Sequence, residues 1–289
     1  MSIETYGAEE YRLYFVVEST YGETPANPTM LGINCEEAEP VIDPGLFVVR
    51  GVGSRDPQAL RKGMFKPSLR VTHVLSGVAP TNFIQHASTL NSLSVQGLWF
   101  KGLWSSPTDV ISLLYKGMRI DKLTVETGLD MLVKATVELM GQNVVVGSDK
   151  LSDATYVDAA DALCFVDTYV QKGDGDGSNL AEIQRVTDWK FNVANNLKPV
   201  HVLRSTDIYL PKYVKARQRD LSGEVTFIFD DDTEINEVIN DSEFSLKFVM
   251  GGGYALFKYC KWERVSLPTR VGDLVSVNAA FIARDVVIA

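Results

Sequence analysis

The sequence predicts a mainly β protein, with antiparallel sheets packed as a sandwich or closed as a barrel and one or two short helices per unit. Three observations predict it. Apolar residues recur at every second position along much of the chain, helical candidates are few and short, and Gly/Asp/Pro-rich segments separate the apolar runs. With 289 residues, 45% hydrophobic and 22% charged, the chain can bury a substantial core as one large β domain or two smaller ones.

In chain order, residues 11–17 form the first strand-like run, and residues 80–87 and 107–116 are helical candidates. The second has Pro107, Thr108 and Asp109 at a helix start, with Val110, Leu113 and Leu114 apolar. Met131, Val133, Ala135, Val137 and Leu139 then alternate with Lys134, Thr136 and Glu138, as in a half-buried strand. Residues 163–170 are apolar, and Gly173-Asp174-Gly175-Asp176-Gly177 reads as the tip of a hairpin returning near Ile183. Asp174 and Asp176 also suggest a Ca²⁺ loop. The calcium motif's sixth-position glycine and twelfth-position glutamate are replaced by Asn179 and Arg185, so a flexible turn is the preferred reading. Trp189, Phe191 and Val193 mark a strand, as do Val225, Phe227 and Phe229. Residues 231–240 predict a helix with an acidic first turn and Ile235, Val238 and Ile239 on its apolar face. Phe244, Leu246 and Phe248, then Val275, Val277, Ala279 and Phe281, close the chain, with Gly251-Gly252-Gly253 as a hairpin or bulge between strands.

The chain also matches itself. Aligning Arg50 with Arg204 places Pro57 on Pro211, Ser68 on Ser222 and Val71-Thr72 on Val225-Thr226. We read two tandem related β domains, residues 1–155 and 156–289, joined through the polar segment 147–161. One unit of twice the size is the alternative.

No chemistry-bearing constellation is found. His73, His86 and His201 make no ligand pair, there is no HExxH, CxxC, Gly-x-Ser-x-Gly or phosphate-binding P-loop, and Gly51-Val52-Gly53 lacks a third glycine at dinucleotide-loop spacing. The sequence therefore predicts no enzyme, no metal and no cofactor. Cys35, Cys164 and Cys260 suggest no disulfide framework and read as small hydrophobes in a reducing compartment. The start, Met1-Ser2-Ile3-Glu4, lacks a basic n-region and an apolar h-region, and no apolar stretch approaches a membrane span, so neither a secretory signal nor a membrane partner is expected. A net charge of −9 argues against tight duplex binding, which needs cations to displace phosphate counterions. Basic residues cluster nonetheless at 50–70 and 212–219, as a self-complementary surface would require.

Glu18-Ser-Thr-Tyr-Gly-Glu-Thr-Pro25 followed by Arg50-Gly-Val-Gly-Ser-Arg-Asp-Pro57 resembles the tail tube (major tail) protein family of tailed bacterial and archaeal viruses. Residues 117–141 resemble that family's closing hairpin, and Ser222-Gly-Glu-Val-Thr-Phe-Ile-Phe229 its strand–helix junction. The resemblance implies an antiparallel β-sandwich or half-open barrel of the tail tube type, in a structural virion protein whose copies join edge to edge into rings stacked as a tube for DNA delivery. DNA would transit without specific binding. Tube subunits of the family are commonly single-domain and hexameric, so a duplicated chain implies a trimeric, pseudo-sixfold ring, with a hexameric ring as the alternative. It implies tape-measure, tail-terminator and baseplate proteins as further partners, location in the virion tail, and assembly in the host cytoplasm. On this reading Arg50, Arg55, Asp56, Arg61, Lys62 and Lys66 lie in an inter-ring contact loop, and Asp230, Asp231 and Asp232 face the lumen. Two other readings stay open: another tail, baseplate or connector β protein of a virion or contractile injection machine, and a carbohydrate-binding or glycoside-acting β-sandwich.

Overall fold

The computed structural model describes residues 5–77, 83–269 and 275–289. The first half of the chain gives β1 (Tyr11–Val17), β2 (Thr29–Gly32), β3 (Asn34–Asp43), β4 (Phe47–Val49), β5 (Ala59–Arg61), β6 (Lys66–Val74), α1 (His86–Thr89), β7 (Leu93–Leu103), β8 (Ser106–Gly128), β9 (Lys134–Met140) and β10 (Asn143–Gly147). The second gives β11 (Thr155–Val157), β12 (Thr168–Asp174), β13 (Ala181–Glu182), β14 (Val186–Ala194), β15 (Lys198–Val200), β16 (Tyr213–Lys215), β17 (Asp220–Ile228), α2 (Thr233–Ile239), β18 (Phe244–Met250), β19 (Gly253–Ser266), β20 (Ser276–Ile282) and β21 (Asp285–Ile288).

One antiparallel sheet crosses the molecule in the order β3–β6–β9–β8–β14–β17–β20–β19. Two smaller sheets pack against it: β11–β2–β1–β7–β8–β10 over the first half, and β13–β12–β18–β19–β21 over the second. The long strands β8 and β19 belong to both layers. Each changes direction at a residue in the left-handed region, Gly117 (φ 65°) and Tyr259 (φ 51°). Alternation explains the layering: Val133, Ala135, Val137 and Leu139 are buried, as are Trp189, Phe191 and Val193, while the residues between them face outward. One core cluster runs through both halves, with Leu123 and Val125 in the same cluster as Phe191, Val193 and Phe227, and a smaller one of Tyr14, Met30, Leu98, Phe100 and Val110 lies in the first half.

The pairings of the first half recur in the second. The ladders β1–β2, β1–β7, β3–β6, β4–β5, β6–β9, β7–β8, β8–β9 and β8–β10 reappear as β12–β13, β12–β18, β14–β17, β15–β16, β17–β20, β18–β19, β19–β20 and β19–β21. Register is kept as well, since Ser68 stands opposite Met140 and Ser222 opposite Ile282. Even the bulges coincide: Cys35/Glu37 with Val186/Asp188, and Ile120/Lys122 with Trp262/Arg264.

Three expectations are corrected. Residues 107–116 lie within β8, not in a helix, because Val110, Ser112 and Leu114 alternate inward and the backbone pairs with β7. A short apolar run does not separate the two periods, and the hairpin partner decides. The candidate at 80–87 contributes only the short α1, with residues 80–82 outside the described residues. In α2 the buried residue is Glu234 at 2% exposure, while Val238 and Ile239 are 41% and 73% exposed. Arg185, in the turn before β14, and Lys172 of β12 hold the acidic side of α2 inward. Segment 147–161 also carries β11, which pairs in parallel with β2.

Candidate assembly surfaces

Any sheet that does not close leaves two edges whose backbone donors and acceptors need partners. In the shared sheet these edges are β3 and the C-terminal half of β19. They belong to different strands in different halves, so pairing one with the other joins copies head to tail.

Inside the chain, the seam between halves shows how such an edge is filled. The β14 strand pairs along β8 from Asp188 opposite Gly128 to Ala194 opposite Lys122. Lys190 forms a 2.9 Å ion pair with Glu126, and Thr124 Oγ1 donates to Asn192 Oδ1 at 2.8 Å. At the seam's end Asn195 Nδ2 donates to the carbonyls of Ala87 and Ile120, both at 2.9 Å, and the Leu197 N–H donates to Asp121 Oδ1 at 2.6 Å. The β15–β16 arm then lies over the first half: Arg119 Nη1 donates to the Val214 carbonyl (2.9 Å), and the Val214 N–H donates to Tyr21 Oη (3.0 Å).

Tyr21 belongs to the loop after β1, and its anchor is Glu18. This buried carboxylate accepts from the Gly117 N–H (2.8 Å), the Gly22 N–H (2.7 Å) and Ser94 Oγ (2.8 Å). Neutral donors thus satisfy the buried charge. The sequence singled out the Tyr-Gly loop but gave no sign that Glu18 fixes it, because Ser94 and Gly117 are distant in the chain.

The residues expected at ring contacts fall on the β4–β5 arm and its base. Arg50, Arg55, Asp56, Arg61, Lys62 and Lys66 are all exposed. Lys62 Nζ lies 5.4 Å from the Phe65 ring centroid and 5.3 Å from that of Tyr209, so the base of this arm touches the tip of the second. The other five are distributed along the arm and share no common centre. The arm itself is apolar outside, with Phe47, Val48 and Leu60 exposed.

Asp230, Asp231 and Asp232 follow β17 and lead into α2. Asp230 and Asp231 converge with the buried Glu234 on Arg185, at 3.1, 3.4 and 2.8 Å. The Arg185 guanidinium also lies over the Phe227 ring, 5.2 Å from its centroid. Lys172 Nζ holds Glu237 at 2.5 Å, and Trp262 Nε1 donates to the same carboxylate at 2.8 Å. The N–H and side chain of Thr233 hold the Asp231 carboxyl below its usual pKa.

The outward face of the shared sheet is polar and internally paired, with Lys122–Glu138 at 3.0 Å, Lys134–Glu36 at 2.7 Å and the Lys190–Glu126 pair. Asp174 and Asp176 are engaged by their own turn: Asn179 Nδ2 donates to Asp174 at 2.6 Å and Ser178 Oγ to Asp176 at 2.6 Å. Among the described residues, no group of three or more His, Cys, Asp or Glu could hold a metal ion, and no helix is long and apolar enough to cross a membrane.

No curated protein sequence matches the chain. Among solved structures, a chain from the virion of a native gene transfer agent particle is similar at 9% identity and a TM-score of 0.36, covering 44% of this chain and 99% of that one. A chain from the sixfold-symmetrised cryo-EM structure of the anti-feeding prophage baseplate is similar at 14% identity and a TM-score of 0.36, covering 52% of this chain and 100% of that one. The family model for phage tail tube proteins matches residues 10–283, nearly the whole chain. The chain therefore belongs to the phage tail tube protein family and is a structural protein of the viral tail.

Proposed function

We propose that copies of this chain close into rings of three, that the rings stack into the tail tube, and that each chain supplies two tandem related β domains, residues 1–155 and 156–289. The observation that carries this reading is the shared sheet, which repeats its strand order once within the chain and ends in two unlike unpaired edges. Contact between unlike edges is head-to-tail, and such contacts build rings when the rotation closes. Closure removes the edges altogether. Three copies of eight strands would give a barrel of about 24 strands, wider than the 16–18-stranded porins that already leave an aqueous channel.

The wall of that channel would be the polar face of the shared sheet. Its carboxylates are partly matched by lysines, and the chain's net charge of −9 disfavours tight binding of DNA. DNA would pass without being held. Asp230, Asp231 and Asp232 would sit at the end of the sheet and add negative charge toward the lumen. The exposed arm carrying Arg50, Arg55, Asp56, Arg61, Lys62 and Lys66 would reach the adjoining ring. Tape-measure, tail-terminator and baseplate proteins would be the further partners, with assembly in the host cytoplasm and no catalytic step. Native mass spectrometry of assembled rings tests the stoichiometry: three chains per ring support the reading, and six reject it.

A further inference from the structure

The first half of the chain exposes apolar side chains at positions where the second half buries them. Register defines the equivalent positions. Ile42 stands opposite Pro67 as Val193 stands opposite Leu221, and Leu60 pairs with Val48 as Val214 pairs with Pro199. Val193 and Val214 are 0% exposed, whereas Ile42 is 45% and Leu60 64% exposed. Leu46, next to the left-handed Gly45, is likewise exposed, while Leu197, next to the left-handed Asn196, is buried. In the second half these residues are covered by the first half of the same chain. In the first half, none of the described residues covers them.

The other edge shows the matching deficit. Lys122 and Arg264 follow equivalent bulges in β8 and β19, so Val265 and Leu267 stand where Leu123 and Val125 do. Leu123 and Val125 are fully buried under β14, while Val265 and Leu267 remain half-buried.

From these deficits we infer that β3 and the β4–β5 arm of one copy dock on the second half of a neighbouring copy, in the register that β14 and the β15–β16 arm hold on the first half. This rests on the ring reading above and specifies its interface. The register places Asp43 opposite Arg264, Ile42 opposite Val265, Val41 opposite Ser266 and Pro40 opposite Leu267 of the next copy. A carboxylate meets a guanidinium at one end, and the apolar residues fall on the core side. Backbone geometry agrees. The Asn195 N–H donates to the Asp121 carbonyl (2.7 Å) and the Leu129 N–H to the Thr187 carbonyl (3.1 Å), which makes Phe191–Val125 and Val193–Leu123 hydrogen-bonded pairs by alternation. Pro40 and Ile42 therefore turn their backbone polar positions outward. Pro40 costs the β6 ladder no donor and offers the neighbour a carbonyl alone.

Val41 and Ser266 would form a non-hydrogen-bonded pair, with Cα atoms about 4.5 Å apart, inside the range a disulfide spans. The test is oxidation of assembled V41C/S266C, in a background carrying Cys35→Ala and Cys164→Ser. Non-reducing electrophoresis should then show chains linked into closed trimers. The shifted pair P40C/S266C should stay unlinked, and T124C/N192C, across the internal seam, should link within the chain. Tubes that form while V41C/S266C stays unlinked, or links no better than the shifted pair, would overturn the seam and leave the tube reading standing. Absence of any ring or tube from the unmodified chain would sink both. As a second measurement, R264E and D43R should each weaken assembly about tenfold or more, and D43R/R264E should restore it. Single variants that keep the unmodified melting curve and assemble normally would also overturn the seam.

Discussion

Replacing His73 with phenylalanine should remove about half of the loss of stability that buried histidines contribute between pH 6.5 and pH 4, because His73 and His86 share that window. His73 sits in β6 against the Phe83 ring, and burial pushes its pKa down from 6.5 to about 4. His86 is buried in α1 and is lowered to about 4 as well. A folded-state pKa below the unfolded value means that the unfolded chain takes up the proton first. Stability is thus complete above pH 6.5 and falls as the pH drops toward 4. At 1.36 kcal/mol per pKa unit, each histidine costs about 2 kcal/mol at pH 5 and about 3 kcal/mol once both states are protonated. The second half supports the choice of substitution, since Phe227 stands opposite Val186 as His73 stands opposite Cys35 and is fully buried. Urea unfolding of the unassembled chain, followed by tryptophan fluorescence at pH 7 and pH 5, gives the number. H73F should lose about 2 kcal/mol less than the unmodified chain over that interval. An equal loss in both proteins would refute the assignment of the acid sensitivity to His73.

Arg185→Met should destabilise the chain by about 3–5 kcal/mol in urea unfolding, because it leaves buried Glu234 with only Lys172, 3.9 Å away. Asp230→Asn, on the exposed side of the same cluster, should cost under about 1 kcal/mol. Gly117→Ala should lower stability by about 1–3 kcal/mol; its φ is +65° and a Cβ would lie 2.9 Å from that of Gln142. A change below 0.5 kcal/mol would show that the bend in β8 does not need glycine. The charge reversal R55E/R61E should impair tube growth, seen by electron microscopy, while the unassembled chain stays within about 0.5 kcal/mol of the unmodified stability. Unchanged tube growth would remove this arm from the ring contact.

Much of the architecture can be read from alternation, and the repeat is visible where β6 and β17 keep Ser68/Ser222 and Val71-Thr72/Val225-Thr226. Elsewhere the two halves share geometry without identity. Ala38 and Trp189 occupy equivalent places opposite Val71 and Val225, because a sheet position constrains polarity and volume more than residue type. The helix misread at 107–116 has the same root, for Val110, Leu113 and Leu114 satisfy both periods until β7 provides a ladder. The inward turn of α2 could not be foreseen either, since it depends on Arg185 in the turn before β14 and Lys172 in β12. Least legible was the assembly surface. Ile42 and Leu60 sit in ordinary alternating runs, and their exposure becomes visible only when Val193 and Val214 are found covered at the same places.

The central claim is that a sheet left open within one chain is completed by the next. Cryo-electron microscopy of tubes grown from the purified protein, with ring averaging, reads it directly. The account predicts three chains per ring, a lumen lined by one continuous antiparallel barrel, and β3 of each chain paired with β19 of its neighbour. Six chains per ring, or rings whose β3 and β19 edges stay unpaired, would contradict it.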